Sequence, residues 1–123
     1  MGFFNADDLS RKEVLPGIRV GSAFLRNLML THFTMETGSV VPSHSHSHEQ
    51  ISFVVSGELD FTLEGETRRV RAGEGCAVPA ATVHSVKVIR EAAVIDCWHP
   101  IREDYIVPES STASGENTKG NAT

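Results

Sequence analysis

The most informative stretch of this chain is residues 38–57, which read GSVVPSHSHSHEQISFVVSG. Three of the six histidines, His44, His46 and His48, lie at alternate positions within it. In an extended segment, residues two apart point to the same side, so His44 and His46 can approach one metal ion together. A solvated polar loop or an adventitious His-rich metal trap has the same composition. The run by itself leaves these interpretations open.

Short runs of strand-forming residues lie on both sides of this stretch, with turn signals such as Ser56-Gly57, Glu64-Gly65 and Ala72-Gly73 between them. The predicted strands are residues 18–25, 28–36, 50–56, 59–64, 67–71, 75–79, 82–89 and 92–98. Many short, evenly spaced strands favour an all-β sandwich or barrel over a parallel α/β sheet. Residues 5–12 can form one helical turn or a short helix.

The spacing of particular residues adds a two-part pattern. The first block has the order glycine, five residues, His-x-His, three residues, a Glu-type ligand, six residues and glycine; its members are Gly38, His44, His46, Gln50 and Gly57. The second block follows after 15 residues and contains Gly73, Pro79, Ala81 and His84. Together the blocks resemble the two motifs of the cupin superfamily, over roughly residues 28–106. The resemblance implies a single-domain cupin, a double-stranded β-helix or jelly-roll barrel.

The resemblance also implies one divalent metal ion, held by His44, His46, Gln50 and His84. Imidazole nitrogens suit Mn, Fe, Ni, Co, Cu or Zn, whereas Ca and Mg prefer oxygen ligands. Gln50 replaces the usual glutamate of the family, and Ala81 replaces a glycine. A glutamine coordinates through its carbonyl oxygen without adding negative charge. The ion should therefore be a stronger Lewis acid than in a site with the usual glutamate.

The remaining polar residues near the motif are expected to be outside the ligand set. Glu49 has the opposite strand parity to Gln50, and the family spacing skips His48, which we expect to line the mouth or be exposed. His32 lies within a predicted strand and is expected to be structural or exposed. His99 is expected at the barrel rim.

A second polar cluster is found in residues 96–105, DCWHPIREDY. Strand alternation places Asp96 and Trp98 on one face and Cys97 on the other, but periodicity does not decide which face points inward. If Asp96 points inward, an acid/base group and an aromatic wall flank the metal. If it points outward, Trp98 packs at an edge and Arg102 forms a surface ion pair.

This ending, Asp-x-aromatic-x-x-x-Arg-Glu-Asp-Tyr, resembles the small cupins of pectin degradation, which linearise 4,5-unsaturated uronates. The resemblance implies a metal-dependent isomerase-like or lyase-like enzyme with Asp96, Trp98 and Arg102 as its active-site residues. Arg102 would clamp the carboxylate of a sugar acid, and Asp96 would move the proton. The family's aromatic is typically Phe, and Trp98 is larger.

Two other classes of function remain open. A three-histidine metal with open positions also resembles the sites of cupin dioxygenases, which need a redox metal and O₂. A non-catalytic cupin that binds a small molecule is the second alternative. Metal analysis, O₂ uptake and a screen of unsaturated uronates distinguish the three.

Composition and charge limit the kinds of partner that the protein can bind and the compartment in which we expect it. The net charge is −5 with no basic cluster, which argues against nucleic acid. No apolar run approaches the roughly 18 residues of a membrane span, and the N-terminus lacks the features of a secretion signal, so we expect the cytoplasm. Cys76 and Cys97 have no CxxC spacing and are expected to be free, buried thiols, with a disulfide as the alternative.

Domain organisation follows from length and composition. At 123 residues the chain is one domain. We expect a cupin β-barrel over residues 1–109 and a disordered tail over residues 110–123, which contain no large apolar side chain. Edge strands and an apolar N-terminal segment predict a homodimer. The segment's apolar residues are Phe3, Phe4, Leu9, Val14, Leu15 and Ile18.

Overall fold

Strands make up most of the described chain. The structure, a computed structural model, describes residues 2–108, so the predicted disordered tail of residues 110–123 lies outside the described residues. The strands are β1 Lys12–Leu15, β2 Ile18–Phe24, β3 Met29–Met35, β4 Val40–His44, β5 Glu49–Leu63, β6 Glu66–Arg71, β7 Gly75–Val78 and β8 His84–His99. A 3-10 turn at Ala6–Asp8 precedes them, which confirms the predicted helical turn, and a second at Glu103–Tyr105 follows.

Two long strands, β5 and β8, connect the two layers of the barrel. In the first layer, the first half of β5 pairs with the second half of β8, and β3 and β7 flank this pair. In the second layer, the other halves of β5 and β8 pair, and β6 and β4 flank them. Strands β1 and β2 extend the first layer beyond β3. All these pairs are antiparallel, and the predicted all-β jelly roll is confirmed.

The predicted break at Ser56-Gly57 is wrong, because the chain forms a bulge there rather than a turn. The register of β5 against β8 shifts between Val54 and Ser56 and again between Ser56 and Glu58. Gly57 has φ of 88°, and a Cβ at this position would collide with the Glu91 carbonyl oxygen. A bulge bends a strand without ending it. The four predicted strands 50–56, 59–64, 82–89 and 92–98 are therefore the halves of two bent strands.

Two strands were not predicted. Strand β4 contains Pro42 and exposes most of its side chains, and both features are more usual in a loop than in a strand. Proline is tolerated because, among the described residues, β4 pairs with β8 alone and has an irregular register between Val41 and His44. Strand β1 pairs with β2, and its Val14 and Leu15 pack against the core.

The space between the layers is apolar for most of its length. The most deeply buried apolar side chains are Ile18, Val20, Met29, Val54, Leu59, Val78, Val88 and Val94. The same inner faces also contain buried polar residues, which include Thr31, Gln50, Ser52, His84 and Asp96. Buried polar groups require partners, so their concentration in one region marks a candidate site.

The two cysteines are free, as predicted, but only Cys76 is partly buried. Cys97 is exposed because its strand parity places it on the outer face, opposite Ile51. The expectation that both are buried is therefore wrong for Cys97. Within residues 2–108, the structure contains no helix that is long and apolar enough to cross a membrane.

Candidate metal centre and active site

Three histidines converge at one end of the barrel. His44 ends β4, His84 begins β8 directly opposite it, and His46 lies in the following loop. One nitrogen from each ring lies within 4.8 Å of the others. The His44 and His84 ring centroids are 4.2 Å apart, and those of His46 and His84 are 4.8 Å apart.

Each ring is oriented by a backbone carbonyl. The Nδ1 atoms of His44 and His84 donate to the carbonyls of Pro42 and Thr82, both at 2.8 Å. His46 Nδ1 donates to the carbonyl of His48 at 3.1 Å. A neutral imidazole that donates through Nδ1 has a lone pair at Nε2, which is the form that binds a metal.

The electrostatics of the cluster favour this neutral form. Burial is the main cause that lowers the pKa of both His46 and His84, and the neighbouring His44 and Arg102 lower it further. His84 Nε2 is buried and has no hydrogen-bond partner among the described residues. Three convergent lone pairs without donors fit a transition-metal ion.

Gln50 lies beside this cluster and connects it to Asp96. Its Oε1 is 3.0 Å from His46 Nε2. Its Nε2 donates to Ser52 Oγ at 2.9 Å and to Asp96 Oδ2 at 3.1 Å. Because the amide nitrogen is engaged, the carbonyl oxygen is turned toward His46. His46 Nε2 and Gln50 Oε1 are both acceptors, and their separation allows them to bind the same cation.

Asp96 points inward, which answers the question that periodicity left open. It is 5 % exposed and lines a cavity of about 50 Å³ together with His44, Gln50 and His84. Burial raises the pKa of Asp96 to about 7, against the lowering effect of Ser52, Gln50 and Arg102. Its Oδ1 is buried without a partner among the described residues. A carboxyl group of this kind can exchange a proton near neutral pH.

Trp98 and Arg102 form the outer wall of the site. The Trp98 ring meets the His46 ring at 5.4 Å, and the Arg102 guanidinium lies 4.8 Å from the Trp98 centroid and 4.2 Å from that of Tyr105. Asp104 accepts from Arg102 Nε at 3.0 Å and from Nη2 at 2.8 Å. Arg102 Nη1 is buried and has no partner among the described residues. One edge of the guanidinium is therefore occupied, while the Nη1–Nη2 edge keeps donors for another anion.

An outer basin of about 500 Å³ adjoins the inner cavity. His44 and Tyr105 line both spaces, and Arg102 and Lys12 line the basin. A space of this size is within the range of small-molecule sites, whereas the inner cavity has room for little more than a single ion.

The other three histidines lie outside this cluster. His48 is partly exposed, with its ring 5.6 Å from that of His46 and 6.3 Å from that of Trp98. His32 is buried on the outer face of the first layer, and its Nδ1 accepts from Arg11 Nη2 at 2.7 Å. His99 is exposed, as is Glu49.

The sequence analysis did not single out Ser52 or Thr31. Ser52 lies two residues after Gln50, so strand alternation places it on the same inner face, and that signal could have identified it. Thr31 Oγ1 accepts from Trp98 Nε1 at 2.8 Å. This contact joins positions 67 residues apart, and no local pattern predicts it.

Comparisons with known proteins agree with this fold. The model of the Cupin domain family matches residues 31–97. Pectin degradation protein KdgF of Dickeya dadantii is 28 % identical over 107 residues, which are 85 % of this chain and 97 % of that protein. The solved structure of KdgF from a Halomonas species superposes with a TM-score of 0.80 at 33 % identity and covers 85 % of this chain and 97 % of that one. An RmlC-like cupin from Shewanella frigidimarina gives a TM-score of 0.82 at 25 % identity, with 86 % and 96 % covered.

The fold and the three-histidine cluster define a small cupin with a candidate metal centre. The family match spans more than half of the chain, so this protein belongs to the cupin family. Within the family, it is similar to KdgF proteins over nearly their whole length.

Proposed function

We propose that this protein is a metal-dependent sugar-acid enzyme that linearises 4,5-unsaturated uronates. The main support is the buried Asp96 carboxyl, which lines the same cavity as His44 and His84 and whose Oδ1 has no partner within residues 2–108. The similarity to KdgF, a pectin degradation protein, supports the class of substrate.

The metal site in this proposal consists of His44, His46 and His84, with Gln50 Oε1 as the fourth ligand. A divalent transition ion bound there would supply Lewis acidity toward the hydroxyl and carboxylate oxygens of a sugar acid. The ligand set is compatible with Mn, Fe, Co, Ni, Cu or Zn.

The reaction requires proton movement and no oxidant. The C1 hydroxyl of the cyclic uronate loses its proton as the bond from C1 to the ring oxygen breaks. The ring oxygen takes up a proton and becomes the hydroxyl on C5, so the products of this step are a C1 aldehyde and an enol at C4 and C5. Loss of the enol hydroxyl proton and protonation of C4 then give the open-chain ketone. Asp96 is the group we assign to these proton transfers, because its Oδ1 has no competing partner among the described residues.

Arg102 is the group we assign to the substrate carboxylate. Asp104 engages the Nε–Nη2 edge, so the carboxylate would meet the Nη1–Nη2 edge. This geometry allows a bidentate contact, as the sequence analysis expected, with Asp104 holding the guanidinium plane.

A direct test compares metal-loaded, chelator-stripped and reloaded protein in an assay of unsaturated uronate. We expect loaded protein to remove the ultraviolet absorbance of the C4–C5 double bond faster than its spontaneous loss, without O₂ uptake. We expect stripped protein to lose this activity and reloaded protein to recover it. Fully loaded protein that leaves the decay unchanged, or that consumes O₂, would exclude the proposal and favour the oxygenase class.

We also propose that the protein is a homodimer and works in the cytoplasm, where thiols such as Cys76 and Cys97 stay reduced. Phe3 and Phe4 of the N-terminal segment are exposed, whereas Ile18 is buried in its own chain and Val14 and Leu15 pack against its core, so the segment is not the main basis of the dimer proposal. The basis is instead the outer face of the first layer, which exposes Leu28, Ile51, Phe53 and Val55. Such an exposed apolar face suits a self-complementary twofold contact.

A further inference from the structure

Trp98 has a polar atom that a phenylalanine in its place would lack. The residue is 3 % exposed, and a buried indole N–H needs an acceptor. The acceptor is Thr31 Oγ1 on β3, at 2.8 Å from Trp98 Nε1. Met29 is directly opposite Trp98 and Thr31 is directly opposite Asp96, so Thr31 is the diagonal neighbour that an aromatic side chain can reach.

We propose that Thr31 is a positioning residue that fixes the Trp98 indole as the platform for Arg102 and thereby sets the affinity for the substrate carboxylate. The inference rests on the proposed function for the identity of that carboxylate. Thr31 is fully buried, so its hydroxyl meets the protein interior and not the substrate.

The contacts around Trp98 explain how this hydrogen bond acts at a distance. The bond holds one edge of the indole against β3, while the Arg102 guanidinium lies 4.8 Å from the ring centroid. The Arg102 side chain is 14 % exposed and is held on its other sides by Asp104 and by the Tyr105 ring at 4.2 Å. A tilt of the indole therefore displaces a guanidinium that has little room to adapt. The atom most affected is Nη1, which has no partner among the described residues.

Thr31 also has a weak contact with the strand that contains Asp96. Its hydroxyl lies 3.5 Å from the Asp96 backbone carbonyl, at the outer limit of a hydrogen bond. If this contact were the important one, loss of the hydroxyl would impair proton transfer and lower kcat. If Trp98 transmits the effect, the loss appears in KM.

The kinetic test uses Thr31→Val, which keeps the side-chain shape and removes the acceptor. A single neutral hydrogen bond contributes up to about tenfold in an equilibrium constant, so we expect KM for the unsaturated uronate to rise by roughly five- to tenfold. We expect kcat to stay within about twofold and Thr31→Ser to restore KM. In a Trp98→Phe background, Thr31→Val should change KM no further. An unchanged KM, a fall in kcat alone, or the same rise in the Phe background would overturn the proposal.

Two further measurements do not depend on turnover. Trp98 is the one tryptophan of the sequence, so its indole N–H gives a single nuclear magnetic resonance signal. We expect this proton to exchange slowly in the wild type and in Thr31→Ser, and rapidly in Thr31→Val. Rapid exchange in the wild type would overturn the proposal.

The second measurement is a titration with galacturonate, a saturated uronate, followed by Trp98 fluorescence. We expect Thr31→Val to bind it roughly five- to tenfold more weakly than the wild type. Equal affinities, or no binding to the wild type, would overturn the inference. If galacturonate affinity depends on Thr31 while unsaturated uronates are not converted, the positioning role stands and the proposed function fails.

Discussion

At the scale of single residues, the histidine cluster is oriented by the local chain. His44, His46 and His84 each donate through Nδ1 to a carbonyl two residues away. Their Nε2 lone pairs are thus directed before any ion arrives, which lowers the entropic cost of binding.

Removal of one imidazole from this cluster should abolish stoichiometric metal binding. We expect His84→Ala and His46→Ala to lose the ion, because two imidazoles and an amide hold a transition metal poorly. His48→Ala is the matched control and should stay fully loaded, since His48 is outside the cluster of convergent nitrogens. Elemental analysis of the purified proteins measures this, and full occupancy in His84→Ala would contradict the proposed ligand set.

Asp96 should make the stability of metal-free protein fall as pH rises. Burial raises the pKa of Asp96 from 3.8 to about 7, so the folded state retains a proton that the unfolded chain releases. The contribution is fully present below pH 3.8 and is lost as pH rises through about 7. The side chain of Asp96→Asn cannot titrate. We therefore expect the unfolding free energy of the variant minus that of the wild type to increase by about 3 kcal/mol between pH 5 and pH 8.

Urea unfolding of chelator-treated wild type and Asp96→Asn at a series of pH values measures this difference. The two proteins differ at this one side chain, so the difference between their stability curves isolates Asp96. Parallel stability curves would show that the carboxyl is solvated and not buried as described.

Much of the candidate site could be predicted from sequence because its residues occupy fixed positions in two motifs. The resemblance to the two cupin motifs supplied the four candidate ligands, and the resemblance to the small cupins of pectin degradation added Asp96, Trp98 and Arg102. Thr31 could not be predicted, because its relation to Trp98 depends on the register of β3 against β8. The inward direction of Asp96 also depends on that pairing, since both faces of its strand contain apolar residues.

At the scale of elements, one turn supports the metal site under strain. Ala81 has φ of 64°, in the left-handed region, and its N–H donates to the His46 carbonyl at 2.7 Å. The family motif has glycine at this position, which adopts such a conformation without a Cβ penalty.

Ala81→Gly should therefore stabilise the protein. Relief of left-handed strain gives about 1–2 kcal/mol, and the greater freedom of the unfolded chain offsets about 0.4–1 kcal/mol of it. We expect a net gain of about 0.5–1 kcal/mol in unfolding free energy, with metal content unchanged. Ala80→Gly, at a neighbour without positive φ, is the control and should destabilise. A loss of stability in Ala81→Gly comparable to that in Ala80→Gly would contradict this account.

The elements themselves were predicted unevenly, for physical reasons. Strands with clear turn signals were identified, and Glu64-Gly65 is indeed a tight hairpin turn with positive φ at both residues. The same kind of signal at Ser56-Gly57 marks a bulge, because the chain continues across to the other layer. Strand β4 was missed because it contains a proline, exposes most of its side chains and forms through its partner β8.

At the scale of the whole molecule, the outer face of the first layer predicts a homodimer. Ile51 is 58 % exposed, Phe53 46 % and Val55 46 %, all on one side of β5. We expect a dimeric mass by light scattering at micromolar concentration and a monomeric mass for Phe53→Glu, because a charge at the centre of an apolar contact is costly. Val40→Lys, at a residue 49 % exposed on β4 in the other layer, should remain dimeric. A monomeric wild type would refute the prediction.

The claim that joins fold, metal centre and function is that Asp96 moves protons beside the metal. The most direct measurement is the turnover of unsaturated uronate by Asp96→Asn, with metal content measured on the same sample. The account predicts full metal loading and a loss of kcat of about 10²- to 10⁴-fold, because the amide keeps the shape of the side chain but cannot exchange the proton. An Asp96→Asn variant that is metal-loaded and as active as the wild type would contradict the account.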